Sequence, residues 1–389
     1  MPPADHDQNP TNAEPDDDDD DGGGEDEIVL AGDDDDEDDD DADPEAVAQA
    51  AAAIELVILP IACTNDGKGA PLCMGIQRFW AQELAGLGAK AAAPVFTAMA
   101  RQGNQQVPAL MVFREPWTDA RALDGIRRFP NAKRGLLTNM RVDEGSVGCE
   151  LRLVRIEPPA PDAVPPPKTE GGEDGDDEPQ GTVVELRQWS WSCSSAELPE
   201  KLHGVLVDLA KECGVEAPAA SWQELFGTSN LQALTSFLVG LGNLSALQGR
   251  CVPTTPDQLL SPLVDAINRD PKMDGAMQAL HVMTDILVAN PIDQSAIPLS
   301  LQALNLAAQK RQDDQSVFHH LASVLRRLGD LGSAVQAFNQ AFNLDPTHEG
   351  VAIQFIDTLR NAGDKANAFK VAQFAVERGN ESPKVIARL

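Results

Sequence analysis

The chain's 389 residues carry 62 acidic and 30 basic side chains, a formal net charge of -32. Residues 1–45 hold 23 of those acids and no Lys or Arg, and residues 157–180 hold eight more against the single Lys168, so the rest is nearly balanced at 31 acids to 29 bases. Charge confined in this way excludes a halophile-type acidic surface, and a polyanionic arm on a folded part that is not net basic excludes nucleic acid as a partner.

The N-terminal arm, residues 1–45, is low-complexity acid with runs at Asp16–Asp21 and Asp33–Asp41. Self-repulsion and scarcity of apolar residues predict a disordered segment. One apolar island, Ile28-Val29-Leu30, lies between the runs and reads either as a short docking motif or as a chance interruption. The terminus lacks a basic n-region, which argues against a signal peptide. Ala46 to Cys63 is apolar but is broken by Gln49, Glu55 and Pro60. It is also shorter than the ~20 residues needed to span a bilayer. The expectation is a soluble, cytoplasmic protein with no membrane insertion.

A first folded domain is predicted over residues 54–215. Glu55–Ile61 is a β-branched run closed by Pro, as in a buried strand. Asn65-Asp66-Gly67-Lys68-Gly69 then links strand to helix, the context of a phosphate-cradling loop, but it lacks the G-x-x-x-x-G-K-[ST] pattern. Gly75–Leu87 places Ile76, Phe79, Trp80, Leu84 and Leu87 at helical spacing. Val107–Phe113 is a second apolar run, and Ala120–Phe129 a second helix. Gly135–Arg141 and Gly148–Ile156 form a hairpin about Asp143-Glu144-Gly145, with Cys149, Leu151 and Leu153 on one face of the second strand. The Pro- and acid-rich insert 157–180 has nothing to build a core and reads as a flexible loop. Thr182–Trp191 resumes as a strand whose Trp189 and Trp191 share a face as core or interface. Ser194 and Glu197 make an S-x-x-E capping box opening a helix over Ala196–Cys213. The result is a mixed-sheet α/β domain.

Beyond Val215 strand signals cease. Ser221–Phe226, Asn230–Leu241, Pro256–Asn268, Met273–Asn290 and Ser300–Gln309 read as helices. A period of 34 follows: Gly329, Ala334 and Ala341 align with Gly363, Ala368 and Ala375, and Leu321 and Leu325 with Phe355 and Leu359. That is the spacing of a helix–turn–helix unit that buries its apolar face only against its neighbours.

These residues resemble the tetratricopeptide repeat. Phe318 stands at the first large position, Leu321-Ala322 at the L-G pair, Leu325 at the Tyr position, then Ala334, Phe338, Ala341 and the closing Pro346. The next unit keeps Phe355, Leu359, Ala368 and Ala375 but has Asn380 for the closing Pro. The resemblance implies two repeat units and a short C-terminal helix over 311–389, with 216–310 as degenerate helical repeats. The strand Val57-Ile58-Leu59-Pro60, the helix from Gly75-Ile76 and the hairpin resemble the TolB amino-terminal type of α/β domain, which often precedes such arrays in bacteria and implies an interaction or sensory module without catalytic residues of its own.

The family register places Ser316, His319, Ser323, Arg326 and Arg327 on the concave face of the first unit. The second unit contributes Gly350, Ile353, Asp357, Arg360 and Asn361. Arginines there suit a carboxylate-bearing peptide through bidentate hydrogen bonds, so His319, Arg326, Arg327, Asp357, Arg360 and Asn361 form the candidate peptide site; a plain solvated helix face is the alternative. The six cysteines (63, 73, 149, 193, 213 and 251) and six histidines form neither metal spacing nor a G-x-S-x-G elbow. No catalytic residue, cofactor or metal is expected. The resulting expectation is a multidomain, non-enzymatic adaptor: acidic arm, α/β domain, then an all-α helical repeat array that holds a protein or peptide. Two rivals remain, a nucleotide or small-molecule sensor at Asn65–Gly69 and an acidic-arm binder of basic proteins.

Overall fold

The computed structural model describes residues 53–65, 69–102, 105–157, 181–249 and 255–389, and for 100–102 and 105–108 the backbone only. The acidic arm with its Ile28–Leu30 triplet, the insert beyond Glu157, Asp66 to Lys68 and Cys251 lie outside the described residues.

The apolar run after Glu55 forms β1 (Leu56–Ile58) in the interior of a mixed sheet. It pairs in parallel with β3 (Ala91–Ala92) on one side and β6 (Arg134–Asp143) on the other. Past Pro60, β2 (Ala62–Cys63) continues along β6. Leu56 and Ile58 enter one core while Val57 and Leu59 enter a second on the opposite face. Burial on both faces is why this strand is an unbroken apolar run. Antiparallel strands β7 (Ser146–Glu157) and β8 (Thr182–Ser194) extend the sheet beyond β6. Their hairpin turns at Glu144-Gly145, where Gly145 has φ +81° and a side chain would be strained.

Helices α1 (Ala70–Gly86) and α3 (Leu198–Cys213) cover one face, and α2 (Asp119–Arg127) the other. The run expected at Val107–Phe113 splits. Part of it becomes β5 (Gln105–Leu110), which pairs only with β4 (Thr97–Gln102) in a ribbon separate from the main sheet. Pro108 cannot donate to a ladder, which keeps this strand out of a sheet interior. Phe113 leaves the ribbon to stack on Trp117, with ring centroids 4.5 Å apart. The capping box at Ser194 forms only in part. The Glu197 carboxylate accepts from both the N–H (2.9 Å) and the O–H (2.8 Å) of Ser194, but the helix opens later, at Leu198-Pro199. Proline suits that first turn because its missing N–H would be unpaired there anyway.

From Trp222 onward all regular structure among the described residues is helical: α4 (Trp222–Phe226), α5 (Leu231–Gln248), α6 (Pro256–Arg269), α7 (Asp274–Ala289), α8 (Ala296–Lys310), α9 (Gln315–Arg327), α10 (Leu331–Leu344), α11 (Glu349–Asn361), α12 (Lys365–Glu377) and α13 (Pro383–Ile386). They pack as pairs α5/α6, α7/α8, α9/α10 and α11/α12, closed by α13. The first helices of successive pairs touch one another and form an inner row; their partners form an outer row. Helices α9, α11 and α13 begin at 315, 349 and 383, two steps of 34. Inside each unit Gly329 (φ +78°) and Gly363 (φ +82°) make the turn in the left-handed region. Asp330 and Asp364 then cap the second helix by accepting from Ser333 and Asn367 N–H. Ala334 and Ala341 are 0% exposed, so the small residues sit where two helices press together. Asn380, in place of the closing Pro, accepts from Ser382 N–H and donates to the Thr347 carbonyl, tying this turn to the previous one.

The expected helix Asn230–Leu241 instead runs to Gln248. Gly240, inside the expected helix, and Gly242, just past its end, are contact points in α5. Gly242 lies against the Pro71 carbonyl of α1, and Gly75 of α1 against the Leu238 carbonyl of α5. Only glycine lets two helix backbones approach this closely. One apolar core therefore runs unbroken from Leu56 of the sheet to Val385 of α13.

Candidate functional site

The inner row brings together side chains from α7, α9 and α11. His281 and His320 stack face to face, centroids 4.1 Å apart and 13° from parallel. Burial lowers both rings, with His281 at about 3 (the neighbouring His320 adds to the effect) and His320 at about 4 (Arg327 adds). Both are neutral at pH 7, which is what allows them to stack. Thr284 Oγ1 lies 3.2 Å from His320 Nε2, while His281 Nε2 is buried with no hydrogen-bond partner among the described residues. Asp285 takes an ion pair from Arg327 and lies 3.8 Å from His320 Nε2.

The candidate peptide residues divide among three local networks. His319 Nε2 meets Gln354 Oε1 at 3.1 Å, and Ser323 Oγ donates to the same oxygen at 3.0 Å. With both partners on one amide oxygen, His319 carries its proton on Nε2. Burial depresses the ring below its ordinary value. Arg326 is half-buried at the penultimate position of α9. Arg327 is held by Asp285 of the preceding pair. Asp357 receives two hydrogen bonds from Arg388, at 2.9 and 2.6 Å, and Arg360 donates to the Arg388 carbonyl at 2.8 Å. Asn361 is exposed at the end of α11. Ile353 is half-buried against the core. The structure thus brings His319 and Ser323 together through Gln354, and Asp357 and Arg360 together through the C-terminal Arg388. Arg327 and Arg360 belong to different networks, each with its own partner within the chain.

The residues that organise this face carried little sequence signal: Gln354, Asp285 and His281 had only their place on a helix, and Arg388 lies past the last one. Their partners lie 31 to 42 positions away, and Arg388 falls outside both repeat units. A cleft of about 670 Å³ where α1, α4, α5 and α7 meet was likewise illegible. It is floored by Phe79, Phe226 and Phe237, and burial raises the Glu83 carboxyl on its wall.

In the α/β part, Asn65 binds the end of β6: its amide donates to the Val142 carbonyl and accepts from Val142 N–H at 3.3 Å. A loop residue engaged in this way serves as a structural clasp. Trp189 Nε1 donates to Asp208 of α3 at 2.9 Å with Arg187 stacked over its ring, so this tryptophan joins strand to helix. Cys63, Cys73, Cys149 and Cys193 are buried thiols outside any disulfide. Cys73 is raised well above the ordinary range by a hydrogen bond with Cys63 and by burial, and burial raises Cys149 and Cys193. Thiols held protonated are weak nucleophiles. Among the described residues no group of three or more His, Cys, Asp or Glu is placed to hold a metal ion, and no helix is long and apolar enough to cross a membrane.

The fold defined by these elements is a mixed-sheet α/β region fused to an array of antiparallel helix pairs. No protein-family model matches the sequence, and no curated protein matches it either.

Proposed function

We propose that this protein is a non-enzymatic adaptor of the tetratricopeptide kind, holding a protein or peptide along the inner row of its helical array. The observation that supports the reading is the 34-residue step of α9, α11 and α13, with Ala334, Ala341, Ala368 and Ala375 all buried between helices. Units of this build expose a continuous row of first helices, and the side chains that line such a row determine what it holds. Here the row offers hydroxyl, amide and neutral imidazole groups beside arginines that already have acidic or carbonyl partners. A carboxylate-bearing peptide is the ligand class that can share those arginines without leaving a buried charge unpaired. The α/β region supplies a second contact surface, rigidly set by the α1–α5 packing.

The test is affinity capture with the full-length protein beside its Arg326→Ala/Arg360→Ala variant, with far-UV circular dichroism confirming equal helix content. A bound polypeptide lost from the variant supports the reading. A polypeptide retained at full yield places the contact elsewhere and overturns it.

A further inference from the structure

Helix α10 contains no charged residue, in a chain whose net charge is -32. Its buried side is Ala334, Ala337, Phe338, Ala341 and Phe342. Opposite lie Gln336, Asn339, Gln340 and Asn343, at i, i+3, i+4 and i+7, which at 100° per residue is one stripe about 100° wide. All four amides are exposed, and none hydrogen-bonds another described residue. A solvated helix face ordinarily carries Glu and Lys; this one carries amides alone.

The stripe is flanked by a groove on each side. Between α8 and α10 one of about 750 Å³ opens over Phe318, Leu321 and Leu325 of α9. Between α10 and α12 another of about 480 Å³ opens over Phe355 and Leu359 of α11, with Phe342 and Phe374 on its walls. Each has outer helices for walls and an inner helix for a floor. The nearest charges, Asp330 at one groove and Asp364 and Lys370 at the other, sit at the rims, and both aspartates cap helices.

We propose that this outer face is a docking surface for an uncharged polypeptide segment in the polyproline II conformation, with apolar side chains three residues apart. Three considerations favour this occupant. The two grooves lie on either side of α10, so they are separated by about the width of one helix with its side chains, roughly 10 Å. A polyproline II chain rises about 3.1 Å per residue with threefold periodicity, so residues i and i+3 project on the same side about 9.3 Å apart. A β-strand does not fit this spacing, because its residues i and i+3 point to opposite faces. The polyproline II backbone also makes no hydrogen bonds of its own, and side-chain amides, with donor and acceptor on one group, match its free N–H and C=O groups. The helix of a second copy of this chain has its backbone already paired and would leave the amide stripe without a match. The absence of charge on α10 fits an uncharged segment and offers a charged one nothing to pair with.

The surface is on the outer row, so it stands apart from the inner-row reading, and the Arg326→Ala/Arg360→Ala variant serves as its control. The probe is a fluorescein-labelled, uncharged, end-capped synthetic peptide of Pro, Ala and Gln carrying Leu at two positions three apart, titrated with full-length protein and followed by anisotropy. Binding is expected that changes less than twofold between 50 and 500 mM NaCl. It should weaken at least tenfold in Asn339→Ala/Asn343→Ala and in a peptide with the Leu residues two apart, and stay unchanged in the arginine control. The substituted side chains are exposed, so thermal melting should match the parent. No binding up to 1 mM protein, equal affinity for the two peptide spacings, or equal affinity of the amide variant overturns the proposal. Self-association that Gln336→Lys/Gln340→Lys abolishes, seen by sedimentation velocity without peptide binding, overturns it in favour of a contact between copies.

Discussion

Replacing Gly75 by alanine drives a methyl group into the backbone of α5. An ideal Cβ at this position falls 1.7 Å from the Leu238 carbonyl oxygen and 2.6 Å from its carbon. Neither atom belongs to a flexible side chain, so the helices themselves must separate by more than an ångström. Apolar residues beside the crossing, among them Phe79 of α1 and Phe237 and Leu241 of α5, then lose contact with the facing helix. A gap of about 0.5–1 Å already removes a quarter to a half of each dispersion well. Overpacking of this sort costs about 1–3 kcal/mol, and with backbone on both sides the upper end applies. Helix propensity acts the other way, because alanine is favoured over glycine in a helix interior by about 1 kcal/mol. Packing wins, leaving a net loss of about 2 kcal/mol, or roughly 2–3 °C in Tm for a protein of this size. Gly86, at the end of the same helix, has no atom within 4 Å of its ideal Cβ. Gly86→Ala should therefore leave Tm unchanged or raise it slightly. Differential scanning calorimetry of the full-length protein and the two variants decides the matter. A Gly75→Ala protein as stable as Gly86→Ala would show that α1 and α5 do not meet as described.

Three further outcomes are expected. Asp357→Ala and Arg388→Ala should each cost about 1–2 kcal/mol, since each breaks a pair of charge-assisted hydrogen bonds. The double variant should cost less than their sum, and amide exchange at 384–386 should quicken in all three. The histidine pair makes stability fall in acid. Both folded rings titrate below the ordinary 6.5, so the unfolded chain binds more protons as pH drops from 6.5 towards 4. The stability is complete above pH 6.5 and is lost through that window, by about 2–3 kcal/mol for His320 at pH 4.5. Asp285 and Asp314 oppose the loss while Arg311 and Arg327 add to it, so the measurement is differential: His281→Leu/His320→Leu should flatten the urea midpoint between pH 7 and 4.5, and an unflattened curve would remove these rings as the cause. Ala334→Leu should destabilise by about 1–3 kcal/mol through overpacking at a fully buried site; a Leu tolerated there without loss in a urea titration would mean that α9 and α10 are not pressed together.

Several elements were legible because their signals are local. The β6–β7–β8 ladder follows from alternation and a Gly turn, and α9 to α12 follow from a strict period with glycine at each left-handed turn. Other features depend on what a segment meets. The expected helix stops just short of Gly242, yet α5 passes through it, because a glycine that breaks a helix and one that admits a neighbouring backbone are the same letter. Val107–Phe113 was apolar enough for a core strand, but Pro108 confines it to a ribbon. The candidate arginines lie on α9 and α11, but their engagement was not foreseeable. Arg327 finds Asp285 and Arg360 finds the Arg388 carbonyl only once the pairs are stacked and α13 is folded back.

Order along the chain, the helix-pair period and the segregation of charge were therefore settled by composition and spacing alone, since propensity, turn chemistry and Coulomb repulsion act between near neighbours. The fusion of sheet to array at Gly75 and Gly242, the histidine stack, and the amide ridge between two grooves were decided only by the folded chain. Each of these depends on atoms brought within a few ångströms from segments that are remote in sequence, and close packing determines which remote atoms meet.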